Sequence, residues 1–164
     1  MRKPRTEQEA LAALAALCSQ AEHCTKEMTD KMDKWELPEE TQSRILEYLK
    51  KEKYLDDERY TRFFARDKIR YNKWGRRKVE QALYMKRIPK EISTPVLNDI
   101  EEEMYVDILR PLLQQKRKST KATSDYEMRM KLIRFALQRG FTMDIIQQCL
   151  DTDGCDVADE EWED

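Results

Sequence analysis

The stretch VEQALYMKRIPKEISTPVL, residues 79–97, places apolar side chains at Val79, Leu83, Ile88, Val96 and Leu97. The steps of four, five, eight and one are those of a helix, a short turn and a second helix. Fifty-one residues earlier the same steps fall on Met28, Met32, Leu37, Ile45 and Leu46. Fifty-three residues later they fall on Leu132, Ala136, Phe141, Cys149 and Leu150. A spacing kept three times is an internal repeat, and it decides the fold class before any single segment does.

A further helical stretch precedes each pair, over roughly 6–20, 57–72 and 101–118. Thr6 and Glu9 have capping-box spacing at the first of these, and Asp56 is an N-cap for the second, with Asp57 and Glu58 favouring its positive dipole end. Pro38 and Pro89 stand where a first helical turn accepts proline, and Gly140 before Phe141 suits a helix C-terminus. The expectation is an all-α chain of three tandem three-helix repeats forming an elongated, curved, solenoid-like array. Repeat 1 spans 1–53, repeat 2, the basic one, 54–100, and repeat 3 101–150, followed by an acidic disordered tail over 151–164. Each repeat is too small to be very stable alone, so neighbours are expected to share core. Residues 116–125, rich in Lys, Ser and Thr, read as a mobile loop.

The formal net charge of -2 conceals an asymmetry. Residues 151–164 hold eight acids and no Lys or Arg, which leaves a net of +6 on 1–150. Between Arg59 and Lys90 there are twelve basic residues and two acids. The acidic segment is either a solubilising end or a competitor with DNA or an acidic partner for the basic stripe. The four cysteines, Cys18, Cys24, Cys149 and Cys155, have no common zinc spacing and a single histidine, His23, for company, so they read as reduced thiols with no metal. No apolar run reaches the roughly 20 residues of a membrane span, and Leu11–Leu17 reads as an amphipathic helix and not a secretion signal. A cytoplasmic location is expected. A Gly-rich phosphate loop, a metal cluster and a triad are all missing from the sequence, which argues against an enzyme.

Chemistry concentrates in the middle repeat. Arg59, Arg62, Arg66, Arg70 and Lys73 are spaced three, four, four and three, a continuous stripe at 100° per residue. Solvated helix faces normally interleave acids for i,i+4 pairing, yet Asp67 is the only acid between Arg59 and Lys73. Tyr60, Phe63, Phe64 and Tyr71 read as core aromatics on a neighbouring face. Repeat comparison adds a second feature: after the caps Cys24, Gly75 and Ser124, the third residue on is Glu27, Lys78 and Glu127. Where the outer repeats place an acid, the middle one places Arg76, Arg77 and Lys78 against the helix dipole. A helix start with free N–H groups and three cations suits a phosphate or a carboxylate cluster.

The run Tyr54-Leu55-Asp56-Asp57-Glu58-Arg59-Tyr60, continuing through Phe63, Phe64 and Asn72-Lys73-Trp74-Gly75-Arg76-Arg77-Lys78 to Val79-Glu80-Gln81-Ala82-Leu83, resembles the central block of the RecX family. Cys24, Glu27, Met28, Lys31 and Met32 are similar to its Ser-x-x-Glu-Leu-x-x-Lys-Leu element, and Arg139-Gly140-Phe141 has a counterpart in its third repeat. The resemblance covers about residues 8–150. It implies a tandem three-helix-repeat regulator that lies along the RecA filament groove and inhibits recombinase and coprotease activities, with no cofactor. On that reading Arg59, Arg62, Arg66, Arg70, Lys73, Arg76, Arg77 and Lys78 contact RecA or the phosphates of single-stranded DNA, and the protein acts as a monomer away from membranes. Departures are Cys24 for the common Ser, and Trp35-Glu36 and Lys86-Arg87 where the family often has Lys-Gly.

Two other classes fit parts of the pattern. A stand-alone helix-turn-helix DNA binder would also have short helix pairs and a basic stripe, but recognition helices mix base-reading Asn, Gln or Ser with their Arg, and this stripe is nearly all Arg and Lys. A scaffolding solenoid would bind neither DNA nor RecA.

Overall fold

The computed structural model describes residues 2–151 and is helical throughout, with no strand among the described residues. Helices α1 (Glu7–Gln20), α2 (Thr25–Lys34) and α3 (Glu39–Lys51) are followed by α4 (Asp57–Arg70), α5 (Arg76–Met85) and α6 (Lys90–Asn98), then α7 (Glu102–Ser119), α8 (Asp125–Gln138) and α9 (143–151). This is a tandem array of three-helix repeats. The acidic segment beyond Asp151, with Cys155, lies outside the described residues. Cys18, Cys24 and Cys149 are free thiols.

The repeat spacing is the spacing of the core. Thirteen of the fifteen repeated positions are buried, and Leu37 and Leu46 are half-buried. The step of five has a specific cause. In each repeat the second helix of the triplet ends in a Schellman turn, in which the N–H two residues past the cap returns to a carbonyl five residues back. Leu37 bonds Met32, Ile88 bonds Leu83 and Phe141 bonds Ala136, at 3.1, 3.0 and 3.1 Å. The apolar pairs found in the sequence are therefore the two ends of one turn.

That turn needs a left-handed residue. Gly140 supplies it at φ 92° without strain, whereas Glu36 and Arg87 adopt φ 58° and 57° with side chains. Left-handed backbone costs a non-glycine residue roughly 1 kcal/mol. Glu36→Gly and Arg87→Gly are each expected to raise unfolding free energy by about 1 kcal/mol, read as an upward shift of the urea midpoint at unchanged m-value. A midpoint that stays put or falls would mean these side chains contribute more than the strain costs.

The chain forms two compact units. Among the described residues, the first comprises those up to Phe64 with Leu83–Val96, and the second Ala65–Ala82 with those from Leu97 onward. The core of the first is built on Leu14, Met28, Met32, Trp35, Ile45 and Leu49, with Leu11, Leu17 and Leu46 packed around it. In the second, Leu109 and Leu113 of α7, Leu132 and Ala136 of α8, and Phe141 are fully buried, and α7 packs along α8.

Local details refine the sequence reading. The Thr6 hydroxyl caps the Glu9 N–H at 3.1 Å, while the Glu9 carboxylate reaches one residue further back, to the Arg5 N–H at 2.8 Å. Pro38 and Pro89 stand just before α3 and α6, one residue ahead of the first helical position. The expected loop at 116–125 is shorter, because α7 continues to Ser119 and the following residues are tied back: the Thr120 hydroxyl to the Lys116 carbonyl at 2.6 Å, and the Lys131 ammonium to the Lys121 carbonyl at 2.7 Å.

Candidate anion-binding surface of the middle repeat

The eight cations singled out by sequence divide into those the fold uses and those it leaves free. Arg59 is used. Its Nε donates to Glu22 at 2.6 Å, and its terminal nitrogens donate to the Lys53 and Tyr54 carbonyls at 3.1 and 3.2 Å. Three acceptors on a fixed fork make it a clamp on the α3–α4 turn. Arg62 pairs with Glu58 one turn back at 3.0 Å. Arg76 is held by Glu80 at 2.7 Å and by the Asn98 side chain at 2.8 Å. Lys78 is half-buried with its ammonium 4.9 Å from the centre of the Trp74 ring, a cation–π contact.

Arg66, Arg70, Lys73 and Arg77 remain. All four are exposed, belong to the second unit, and have no side-chain hydrogen bond or ion pair among the described residues. Arg66, Arg70 and Lys73 follow i, i+4, i+7 spacing, the first two on α4 and Lys73 three residues beyond its end, whereas Arg77 opens α5. Arg70 borders a cleft of about 380 Å³ that also has Glu101, Glu103 and Asp107 in its wall, so one edge of the basic strip meets the acidic start of α7.

The helix start at α5 is less free than expected. The Gly75 N–H donates to the Arg139 carbonyl at 2.8 Å, and the Arg77 N–H donates to the Gly140 carbonyl at 3.0 Å. The end of α8 therefore takes the N–H of the cap Gly75 and one N–H of the helix itself, that of Arg77. Carbonyls carrying the negative end of one dipole face the positive end of another, which also explains why no acid is needed there. Sequence pattern could not show this, because the donor and acceptor are more than sixty residues apart.

The acids of the outer repeats each take N–H groups next to their own helix starts. Glu27 accepts the Cys24 N–H at 3.1 Å and the Lys86 ammonium at 3.1 Å. Burial works against its charge, yet the Cys24 N–H and Lys86 together hold its carboxyl below the ordinary carboxylate range. Glu127 takes the Thr123 hydroxyl and N–H and pairs with Lys131, which lowers its carboxyl to about 2.

The aromatics also separate. Tyr60 is buried and stacks on half-buried Phe64, with ring centres 5.6 Å apart, as core aromatics should. Phe63 and Tyr71 are exposed at 59% and 71%, contrary to the expectation of core packing. The signal was present at 100° per residue: Phe63 lies about 20° from Arg70 around the helix and about 60° from Tyr60, at the edge of the basic stripe. The exposed surface is thus aromatic as well as basic.

Comparison with known proteins gives a consistent picture. The profile described as "RecX, second three-helix domain" matches residues 56–97, and "RecX, third three-helix domain" matches 102–150, together more than half of the chain. The chain is 30% identical over 127 residues to the regulatory protein RecX of Clostridium beijerinckii, covering 76% of this chain and 59% of that protein. It is 31% identical over 121 residues to the protein of the same name from Clostridium perfringens, covering 73% and 56%. It thus spans somewhat under three fifths of these relatives. A crystal structure of RecX from Lactobacillus salivarius superposes with a TM-score of 0.81 at 21% identity, covering 89% of this chain and 95% of that one.

Proposed function

Because the chain belongs to the RecX family of regulatory proteins, we propose that it binds the RecA–DNA filament and restrains recombinase activity through the basic face of its middle repeat. The observation that carries this reading is the group Arg66, Arg70, Lys73 and Arg77, exposed and without side-chain partners among the described residues. Exposed cations of one sign repel each other, so a polyanionic surface is their natural complement. A filament on DNA offers phosphates and protein carboxylates in a regular row. Exposed Tyr71, one residue past the end of α4 and in the same unit as these cations, adds apolar contact that a purely screened charge patch would lack. Arg59, Arg62, Arg76 and Lys78 act differently on this reading: their side-chain contacts shape the repeat, and their loss would disturb the fold as much as the grip.

The test is charge reversal at Arg70, Lys73 and Arg77 together. Inhibition of RecA-dependent ATP hydrolysis is expected to disappear while far-ultraviolet circular dichroism stays unchanged. A folded variant that still inhibits would show that the filament is held elsewhere. Titrating bare single-stranded DNA, RecA alone and the assembled filament side by side separates a regulator from a plain DNA binder. The regulator prefers the filament by a wide margin, whereas the DNA binder holds bare strands as tightly, with a salt slope near -0.7 for each phosphate neutralised.

A further inference from the structure

The turn between α5 and α6 bears a second feature that the α4 surface does not account for. In the first unit, Tyr84 and Met85 end α5 and are 73% and 67% exposed. They border an open groove of about 560 Å³ whose other walls are Lys26, Arg87, Ile88, Pro89 and Lys90. Three cations and no carboxylate line it. Lys26 also pairs with Asp30 at 2.7 Å, whereas Arg87 and Lys90 have no side-chain partner among the described residues.

The repeats supply an internal control. The positions equivalent to Tyr84, Met85, Arg87 and Lys90 are Asp33, Lys34, Glu36 and Glu39 in the first repeat, and Leu137, Gln138, Gly140 and Met143 in the third. At these four positions the turn therefore folds with three acids and one lysine, or with no charged residue. Arg87 occupies a left-handed position at φ 57°, as Glu36 does at φ 58° in the first repeat, whereas Lys90 is the first residue of α6, where the helix dipole disfavours a cation and neither other repeat places one. Folding does not ask for either residue, and both face the groove.

We propose that this groove seats a strand of single-stranded nucleic acid, with a base stacked on Tyr84 and its phosphates against Lys26, Arg87 and Lys90. A cationic trough beside an exposed aromatic is the general arrangement for binding single strands without sequence preference. An acidic peptide would satisfy the cations and leave the Tyr84 ring and Met85 in water; a nucleotide strand uses both. The proposal goes beyond the α4 surface and does not depend on it.

The experiment is fluorescence anisotropy of the full-length protein with a short labelled oligothymidylate, repeated over a series of salt concentrations. Tyr84→Ala is expected to weaken binding about tenfold with its salt dependence unchanged, because stacking displaces no counterions. Arg87→Gly and Lys90→Ala are each expected to lower the salt slope by about 0.7. Arg87→Gly relieves backbone strain, so weaker binding by that variant is not an unfolding effect. Equal affinity and equal slope across all three variants would overturn the proposal. So would a Glu-rich peptide that binds in a Tyr84-dependent manner while the oligonucleotide does not. The Arg70, Lys73 and Arg77 variant runs alongside: if it loses filament inhibition but keeps Tyr84-dependent strand binding, the groove stands on its own, and if it keeps inhibition, only the α4 reading fails.

Discussion

Gly75→Ala is expected to cost about 3 kcal/mol of unfolding free energy or more, and Gly140→Ala a similar amount, because the two glycines form one backbone contact. A Cβ on Gly75 would stand 2.2 Å from the Phe141 nitrogen and 2.4 Å from the Gly140 carbonyl carbon. These are backbone atoms, which cannot rotate aside as a side chain could. A Cβ on Gly140 would meet the Lys78 nitrogen and Cβ at 2.5 Å, on a backbone already at φ 92°. The close approach is what lets the Gly75 and Arg77 N–H groups reach the Arg139 and Gly140 carbonyls at 2.8 and 3.0 Å. Prising the two segments apart would strand those groups away from water, at about 1–3 kcal/mol for each one left unsatisfied. Urea unfolding of the two single variants and the double variant is the measurement. The double variant should cost clearly less than the two singles combined, since either one already opens the contact. Single variants within about 0.5 kcal/mol of the parent would mean that the junction is slack.

The same junction marks what a sequence can reveal. Periodicity located the helices because the core selects apolar residues at a fixed step, and the step of five was a Schellman turn read without its name. Gly140 was legible because a left-handed residue at a helix end is a local demand. Gly75 was read only as a cap, although its deeper reason is the backbone of Phe141, remote in the chain. Charge reading was least reliable for a related reason. The stripe from Arg59 to Lys73 is uniform in sequence, but Arg59 is consumed by Glu22 and two carbonyls while Arg66 is not. Which cations are free depends on acceptors brought in by other helices, and residue spacing along α4 does not encode them. Phe63, in contrast, was misplaced by grouping aromatics together when its helical angle already set it at the edge of the basic stripe.

Asp57→Ala is expected to destabilise the protein by about 2–3 kcal/mol, although Asp57 lies within the charged run Asp56-Asp57-Glu58-Arg59 that carries the family resemblance. Its two carboxylate oxygens accept the Thr25 N–H and the Thr25 hydroxyl, both at 2.8 Å. Thr25 is the first residue of α2, so a side chain from α4 satisfies a helix N–H that has no partner within its own helix. The Asp56 carboxylate meanwhile caps the Arg59 N–H at 3.0 Å, and the Arg59 guanidinium clamps Glu22 and the carbonyls before α4. All three groups are turned toward their own chain. The run is then a joint that seats the start of α4 against the first repeat. Asp57→Asn, which keeps one acceptor oxygen, should lose roughly half as much as Asp57→Ala, and the Asp57–Thr25 double-mutant cycle should give a coupling of about 1–2 kcal/mol. At a temperature where Asp57→Ala is still almost fully folded, the filament inhibition proposed for the parent should be unchanged in the variant. If that variant is fully folded and stable yet has lost its hold on the filament, the acid is a contact and the joint is not its purpose.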